Sequence, residues 1–122
     1  MSYAQKAIDE MLPMITEFLT LLGLATDGKV DFSTTLNPFS EWVSAQEISQ
    51  EDFGYIVSRL GAFYCQYYVQ KHDAKIKEIN VKVAIELTLG KEENQTINPY
   101  DFAIMIANKE ITLVQAIDAN VI

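Results

Sequence analysis

The chain of 122 residues is acidic, with a formal net charge of −8, and 49% of its residues are hydrophobic. This length suits a single domain, and so large an apolar fraction excludes an intrinsically disordered chain. No apolar run approaches the roughly 20 residues that a membrane-spanning helix needs, and no secretory signal is visible at the start.

The negative charge is concentrated in the first half of the chain. Residues 1–66 carry three basic and nine acidic side chains, whereas residues 67–91 carry five basic and three acidic ones. Because phosphate binding depends on Lys and Arg, we expect no nucleic-acid partner, and the same charge would be repelled by an anionic membrane surface. A basic protein would instead be attracted at long range.

The first predicted element is an amphipathic helix over residues 3–22, followed by Gly23 as the left-handed residue that ends it. Pro13 inside this pattern removes a backbone hydrogen bond, so the sequence predicts one kinked helix or two short helices over 3–11 and 13–22. The buried stripe of this helix is predicted to consist of Ala4, Ile8, Met11, Leu12, Ile15, Phe18, Leu19 and Leu22.

A second, short helix is predicted to begin at the pair Asn37 and Pro38, which suits an N-cap and the first helical position. This helix would run to about Ala45. Residues 30–36 show no sustained period, so we expect them to be extended or to form a loop.

The clearest helix covers residues 50–71, where apolar side chains recur with a period of 3.6. Ser49 and Asp52 have the spacing of a capping box at its start. Gly54 and Gly61 each weaken the helix by roughly 1 kcal/mol relative to Ala. Either a close crossing by a neighbouring element or simple tolerance would explain these two glycines.

Beyond residue 73 the hydrophobic period changes from 3.6 to 2. Apolar and polar residues alternate from Ile79 to Leu89, which predicts one half-buried strand. Ile76 has the opposite parity, so a bulge or a turn is expected to separate residues 74–78 from this strand. Another short strand is expected around residues 95–97.

Two capping patterns follow near the end of the chain. Asn98 and Pro99 are expected to open a helix that ends near Lys109. Thr112 with Gln115 three residues later has the spacing of a capping box for one more helix.

These elements predict an α+β fold in one domain over residues 1–122. Its parts are a helical N-terminal half, a small antiparallel sheet from about 74 to 97, and one or two C-terminal helices that cover the sheet. No linker or low-complexity segment divides the chain.

The chain is poorly equipped for catalysis or metal binding. It has one cysteine and one histidine, Cys65 and His72, which would lie seven residues apart on a continuous helix. That separation, about 10 Å along a helix, exceeds hydrogen-bond reach. Zinc needs several such ligands, and no glycine-rich phosphate motif occurs. We therefore expect no catalytic residue, metal or cofactor, with Cys65 in the core, His72 at a helix end and the protein in a reducing, cytoplasmic compartment.

The aromatic side chains of the third helix allow two interpretations. Most of them fit its buried stripe and would belong to the core. Tyr55 lies off the centre of that stripe and, with Trp42, is of a residue type enriched at binding interfaces. Tyr64, Tyr67 and Tyr68 would line a pocket if they were not packed in the core.

Three short motifs resemble those of a group of small uncharacterised bacterial proteins. They are LGAFY at residues 60–64, INPY at residues 97–100 and ITL at residues 111–113. The resemblance covers roughly residues 36–117. It implies an α+β unit with a short antiparallel sheet, and some members of the group are described as immunity-type proteins. It therefore favours a binding role and supplies no catalytic residue.

The leading hypothesis is a non-catalytic protein-binding domain, specifically an acidic immunity or antitoxin-type inhibitor of a basic partner. One alternative is a homo-oligomeric structural module, such as a homodimer, and another is a small-ligand-binding domain with a tyrosine-lined pocket. The candidate partner contacts are Asp9, Glu10, Glu17, Glu41, Trp42, Glu47, Glu51, Asp52 and Tyr55.

Overall fold

A computed structural model describes residues 3–25, 29–72, 75–79, 84–88 and 98–118. Within these ranges the chain forms five helices and two short strands. In chain order they are α1 (Tyr3–Leu21), α2 (Phe32–Ala45), α3 (Gln50–His72), β1 (Lys75–Ile79), β2 (Ala84–Thr88), α4 (Pro99–Ala107) and α5 (Leu113–Asp118).

The predicted α+β class is wrong, because helices make up the great majority of the described residues and the fold is all-α. The two strands pair only with each other, as an antiparallel ribbon in which Lys75 lies opposite Thr88 and Ile79 opposite Ala84. No third strand joins them in the described part of the chain. A ribbon of two five-residue strands is not the sheet layer that the C-terminal helices were expected to cover.

The single long strand predicted over residues 79–89 is also wrong. Ile79 ends β1 and Ala84 begins β2, so Ile79 and residues 84–88 belong to two different strands that pair with each other. In the register, Ile76 lies opposite Leu87, so even-numbered residues of β1 pair with odd-numbered residues of β2. This pairing explains why Ile76 did not share the parity of the later residues. The strand expected around residues 95–97 lies outside the described residues.

α1 is one continuous helix with Pro13 inside it, so the alternative of two short helices is wrong. It ends at Leu21, one residue before the predicted end, and Gly23 beyond it adopts the predicted left-handed conformation, with a φ of 76°. The amide of Leu24 then donates to the carbonyl of Leu19 at 2.8 Å, which satisfies a carbonyl of the last turn.

α2 begins six residues before the predicted start, because Asp31 rather than Asn37 is its N-cap. The Asp31 carboxylate accepts a hydrogen bond from the amide of Ser33 at 3.0 Å. Residues 30–36 were expected to be extended or a loop, but most of them are helical. The buried side chains at Phe32, Leu36, Phe39 and Val43 follow helical spacing, which draws this segment onto the core.

The predicted start of α3 is confirmed. The Asp52 amide donates to the Ser49 hydroxyl at 3.2 Å, and that hydroxyl donates to the Asp52 carboxylate at 3.1 Å. α3 packs against α1, α2 and α4 and is the central helix of the domain. It ends at His72, close to the predicted end.

The two C-terminal capping patterns are confirmed as well. The Asn98 side chain accepts from the Tyr100 amide at 3.0 Å at the start of α4. At the start of α5, the Gln115 amide donates to the Thr112 hydroxyl at 3.1 Å, and the Thr112 amide donates to the Gln115 side chain at 2.9 Å. α4 ends at Ala107, two residues before the predicted end.

The loop between α4 and α5 is tied to α2. Lys109 adopts a positive φ of 65° at this turn. Its ammonium group donates a hydrogen bond to the Val43 carbonyl in the last turn of α2. A cation beside the carboxyl end of a helix is stabilising, because it complements the helix dipole.

Gly61 marks a close crossing of α3 by α4. A Cβ added at Gly61 would lie 2.6 Å from Cε1 of Tyr100. Gly54, by contrast, faces open space. A close crossing by a neighbouring helix therefore explains Gly61, whereas Gly54 is simply tolerated.

The core is built from all five helices. Cys65 is fully buried within it, as predicted. Its largest fully buried side chains are Tyr64, Tyr68, Phe32, Phe39, Phe63, Met11, Ile15, Leu19, Leu60 and Leu113. None of the helices in the described ranges is both long enough and apolar enough to cross a membrane.

Candidate functional site

Large hydrophobic side chains are exposed mainly on one side of the described structure. The exposed fraction is 40% for Leu12, 75% for Leu21, 47% for Tyr55 and 41% for Ile104. Leu12 and Leu21 line one groove, and Leu21 and Tyr55 line one cleft, so these three form a continuous surface. Ile104 lies apart on α4.

The groove runs along the outer side of α1 and has a volume of about 760 Å³. We call it the α1 groove. Its α1 positions recur every three or four residues, on the side opposite the buried Met11 and Ile15. The groove is lined by Leu12, Pro13, Thr16, Glu17, Thr20, Leu21, Lys29, Val30 and Gln70.

A smaller cleft of about 70 Å³ lies between α1 and the first half of α3, and Glu17 and Leu21 line it together with Tyr55 and Arg59. The Arg59 guanidinium carbon lies 3.5 Å from the centre of the Tyr55 ring, a cation–π contact. One terminal nitrogen of Arg59 donates to the Ser58 hydroxyl at 2.9 Å. The Arg59 Nε is buried and has no hydrogen-bond partner. Through the cation–π contact, Arg59 holds the exposed Tyr55 ring in place.

Phe18 joins the two aromatic residues that the sequence selected. Its ring centre lies 5.7 Å from that of Trp42 and 5.8 Å from that of Tyr55, both in edge-to-face geometry. Trp42 comes from α2 and is half-buried, whereas Tyr55 comes from α3 and is exposed. Three helices thus place these two side chains on one surface.

Carboxylates lie beside Tyr55, on one side of this aromatic pair. Glu17 lines both the α1 groove and the cleft beside Tyr55. Glu51 and Asp52 are exposed and lie one helical turn before Tyr55 on α3. We call the surface formed by Glu17, Trp42, Glu51, Asp52 and Tyr55 the acidic-aromatic face.

The remaining predicted contacts are exposed but lie elsewhere. Asp9 and Glu10 lie in the first half of α1, and Glu47 lies in the segment between α2 and α3. Glu41 lines a separate shallow groove between α2 and α5, together with Ser44. The structure therefore brings five of the nine predicted contacts together and leaves these four outside the face.

The sequence did not predict the α1 groove. It placed Leu12 in the buried stripe, whereas that side chain is 40% exposed, and it did not single out Leu21. A signal was present, because both leucines fall outside the narrow stripe formed by Met11, Ile15 and Leu19. Arg59 was likewise not connected with Tyr55, although the two lie four residues apart on one helix.

Two of the three tyrosines proposed for a ligand pocket, Tyr64 and Tyr68, are packed in the core, and Tyr67 is half-buried against it. The ring centres of Tyr64 and Tyr68 lie 5.0 Å apart, and Phe102 stacks on Tyr64 at 5.4 Å. The Tyr68 hydroxyl donates to the Ile117 carbonyl at 2.7 Å. Burial is the main cause that raises the pKa of Tyr68 to about 12; the charges of Tyr67 and Asp118 act in the same direction, and a hydrogen bond with Tyr64 opposes them. This packing gives no support to a tyrosine-lined pocket.

The reactive side chains do not form a site in the described ranges. Burial raises the pKa of the Cys65 thiol well above its ordinary value, so the thiol stays protonated and unreactive. No group of three or more His, Cys, Asp or Glu side chains comes together there as metal ligands would. The expectations of no catalysis and no metal stay predictions.

Comparisons with family models, with curated proteins and with solved structures find no match for this chain. The resemblance to small bacterial immunity-type proteins therefore stays a prediction. The α+β fold that it implied is wrong, because the described residues form an all-α fold.

Proposed function

We propose that this protein is a non-catalytic binding domain that holds a basic protein partner against its acidic-aromatic face, as an immunity or antitoxin-type inhibitor does. The observation that carries the proposal is the convergence of Trp42 and Tyr55 on one surface, joined through Phe18 and bordered by exposed carboxylates.

The composition of the face matches that of protein–protein interfaces. Aromatic side chains are enriched at the centres of interfaces, and polar side chains are found at the rims. Here the cation–π contact with Arg59 fixes the Tyr55 ring before any partner binds. A fixed aromatic side chain loses little conformational entropy on binding, which favours affinity.

The charge of the protein favours a basic partner. The net charge is −8, and the face itself carries Glu17, Glu51 and Asp52. An electrostatic field of this sign accelerates encounter with a basic surface and repels acidic competitors. Proteins that act on nucleic acids are basic at their active sites, so an acidic domain is suited to covering such a site.

The two alternatives from the sequence receive less support. A ligand-binding domain would need Tyr64, Tyr67 and Tyr68 to line an open pocket, and the rings of Tyr64 and Tyr68 are fully buried. A homo-oligomer that used the acidic-aromatic face would bring like charges together across a twofold axis. The reduced, buried Cys65 is in keeping with the cytoplasmic compartment that we propose.

Affinity capture with two matched variants tests the proposal. The face variant carries Glu17→Lys and Glu51→Lys, and the control variant carries Glu41→Lys and Glu110→Lys. Each substitution changes the charge by +2, so both variants have a net charge of −4 instead of −8. All four positions are exposed, so both variants should fold.

We expect the wild-type and control proteins to capture the same basic protein from a native lysate, and the face variant to lose it. The captured complex should also dissociate as the salt concentration rises. Capture of no basic protein, or equal capture by the two variants, would contradict the proposed function.

A further inference from the structure

The α1 groove is long enough to accommodate a short helix. Its lining runs from Leu12 to Leu21, nine residues along α1. At 1.5 Å per residue this is roughly 13–14 Å, or about two and a half helical turns. Leu12 and Leu21 are the most exposed large apolar side chains of the groove, at 40% and 75%.

The charges around the groove select the kind of helix that fits. Glu10, Pro13 and Glu17 are spaced by three and four residues, so both carboxylates lie on the exposed side of α1. Lys29 is the one basic residue that lines the groove. A bound helix that presents Lys or Arg beside its apolar stripe would complement the two glutamates.

The same carboxylates disfavour a second copy of this chain as the occupant. In a twofold contact, α1 of one protomer would pack on α1 of its partner. Whichever of Glu10 and Glu17 lies near the twofold axis would then approach its own equivalent, and like charges at an interface are destabilising.

We propose that the α1 groove binds a basic amphipathic helix of the partner protein, with the apolar stripe of that helix packed between Leu12 and Leu21. This inference rests on the proposed function, because it names the partner element that the acidic domain recognises. Recognition of this kind uses apolar anchors spaced by three, four or seven residues along the bound helix.

A synthetic peptide of about four turns tests the inference. The stripe peptide carries leucines at helical spacing with lysines between them, and the scrambled peptide has the same composition without a stripe. Calorimetry measures the affinity of each peptide, and backbone amide chemical shifts locate the binding site. We expect the stripe peptide to bind about tenfold or more tightly than the scrambled one and to shift amides of residues 12–21.

Two surface variants provide the matched controls. Leu21→Asp places a charge in the groove at the most exposed leucine, and Ile104→Asp places one at an exposed apolar residue outside it. We expect Leu21→Asp to weaken binding of the stripe peptide about tenfold or more and Ile104→Asp to leave it unchanged. Circular dichroism checks that both variants are folded.

The outcomes separate this inference from the proposed function. Equal binding of the two peptides, or binding unaffected by Leu21→Asp, would overturn the helix site. Capture through the acidic-aromatic face would still be tested separately by the face and control variants. A wild-type protein that dimerises through the groove, with the dimer lost in Leu21→Asp, would also overturn it, because a second copy would then be the occupant.

Discussion

At the scale of single residues, replacing each of the two glycines of α3 with alanine is expected to change the stability in opposite directions. Gly61→Ala would bring a methyl group against the Tyr100 ring, whereas Gly54→Ala meets open space. Alanine stabilises a helix by about 0.5–1 kcal/mol relative to glycine, but overpacking costs about 1–3 kcal/mol. We expect Gly54→Ala to raise the free energy of unfolding by about 0.5–1 kcal/mol and Gly61→Ala to lower it by about 1–2 kcal/mol, as measured by urea denaturation.

The Tyr100 ring is the cause of this difference, and a double substitution isolates it. In a Tyr100→Ala background, Gly61→Ala should become neutral or stabilising, because the clash has been removed. Destabilisation by Gly61→Ala that persists without the Tyr100 ring would show that the close crossing is not the reason for this glycine.

Buried phenol groups make the protein sensitive to alkali. Burial raises the pKa of Tyr68 and of Tyr100 to about 12, from an ordinary value of 10. The folded chain therefore holds these protons more tightly than the unfolded chain. The stability that this contributes is complete below about pH 10 and is lost as the pH rises from about 10 to about 12.

Urea denaturation at a series of pH values measures this loss. The buried Cys65 acts in the same direction, beginning near the ordinary thiol pKa of 9. Tyr68→Phe should make the decline above pH 10 shallower, because one shifted phenol is removed. A free energy of unfolding that stays constant up to pH 12 would contradict the burial of these groups.

The burial of individual residues was only partly predictable from the sequence. Cys65 was placed correctly, because a small apolar side chain within the aromatic stripe of a helix belongs to the core. Leu12 was not, because a leucine next to Met11 looks like part of the same stripe. Only the position of the neighbouring helices determines how wide the buried stripe of α1 is.

At the scale of elements, the start of α2 gives a direct test. Asp31 caps the helix, whereas Asn37, which the sequence favoured as the cap, lies inside it and is exposed. We expect Asp31→Ala to destabilise the protein by about 1 kcal/mol, because the amide of Ser33 loses its acceptor. Asn37→Ala should be neutral or slightly stabilising, because alanine is the better helix former. Thermal or urea denaturation of the two variants compares them, and the reverse order of effects would place the start of α2 at Asn37.

Helix starts were predictable where the capping contacts are local. Ser49 with Asp52, Asn98 with Tyr100 and Thr112 with Gln115 bond within three residues of each other, so the sequence alone contains the interaction. The start of α2 was not predictable in this way, because an Asn-Pro pair resembles a cap wherever it occurs. The burial of Phe32 against Phe63 of α3 is the long-range contact that accompanies the earlier start.

The prediction of the fold class was wrong for a related reason, because it too depends on long-range contacts. Alternating residues correctly indicated extended chain beyond α3, but alternation does not state how many strands pair. A ribbon of two strands and a sheet that forms a whole layer give similar local patterns. The all-α class follows from the packing of the five helices, which no local pattern contains.

At the scale of the whole molecule, the sequence predicted the sign of the charge but not its arrangement. Nine candidate contacts were chosen by residue type, and the fold places five of them on one face. That face depends on contacts of Phe18 in α1 with Trp42 in α2 and Tyr55 in α3. Residues so far apart in the chain cannot be assembled from a single sequence without the helix packing.

The quenching of Trp42 fluorescence tests the central claim most directly. Trp42 is the only tryptophan of the chain, and it is half-buried on the acidic-aromatic face. We predict that saturation with the captured basic protein reduces the quenching of Trp42 by acrylamide. The measurement uses an excitation selective for Trp42 or a tryptophan-free form of the partner. The protection should be reversed when salt dissociates the complex. A complex that forms, as calorimetry shows, while Trp42 is quenched as readily as in the unbound protein would contradict the account, because the partner would then be bound to another surface.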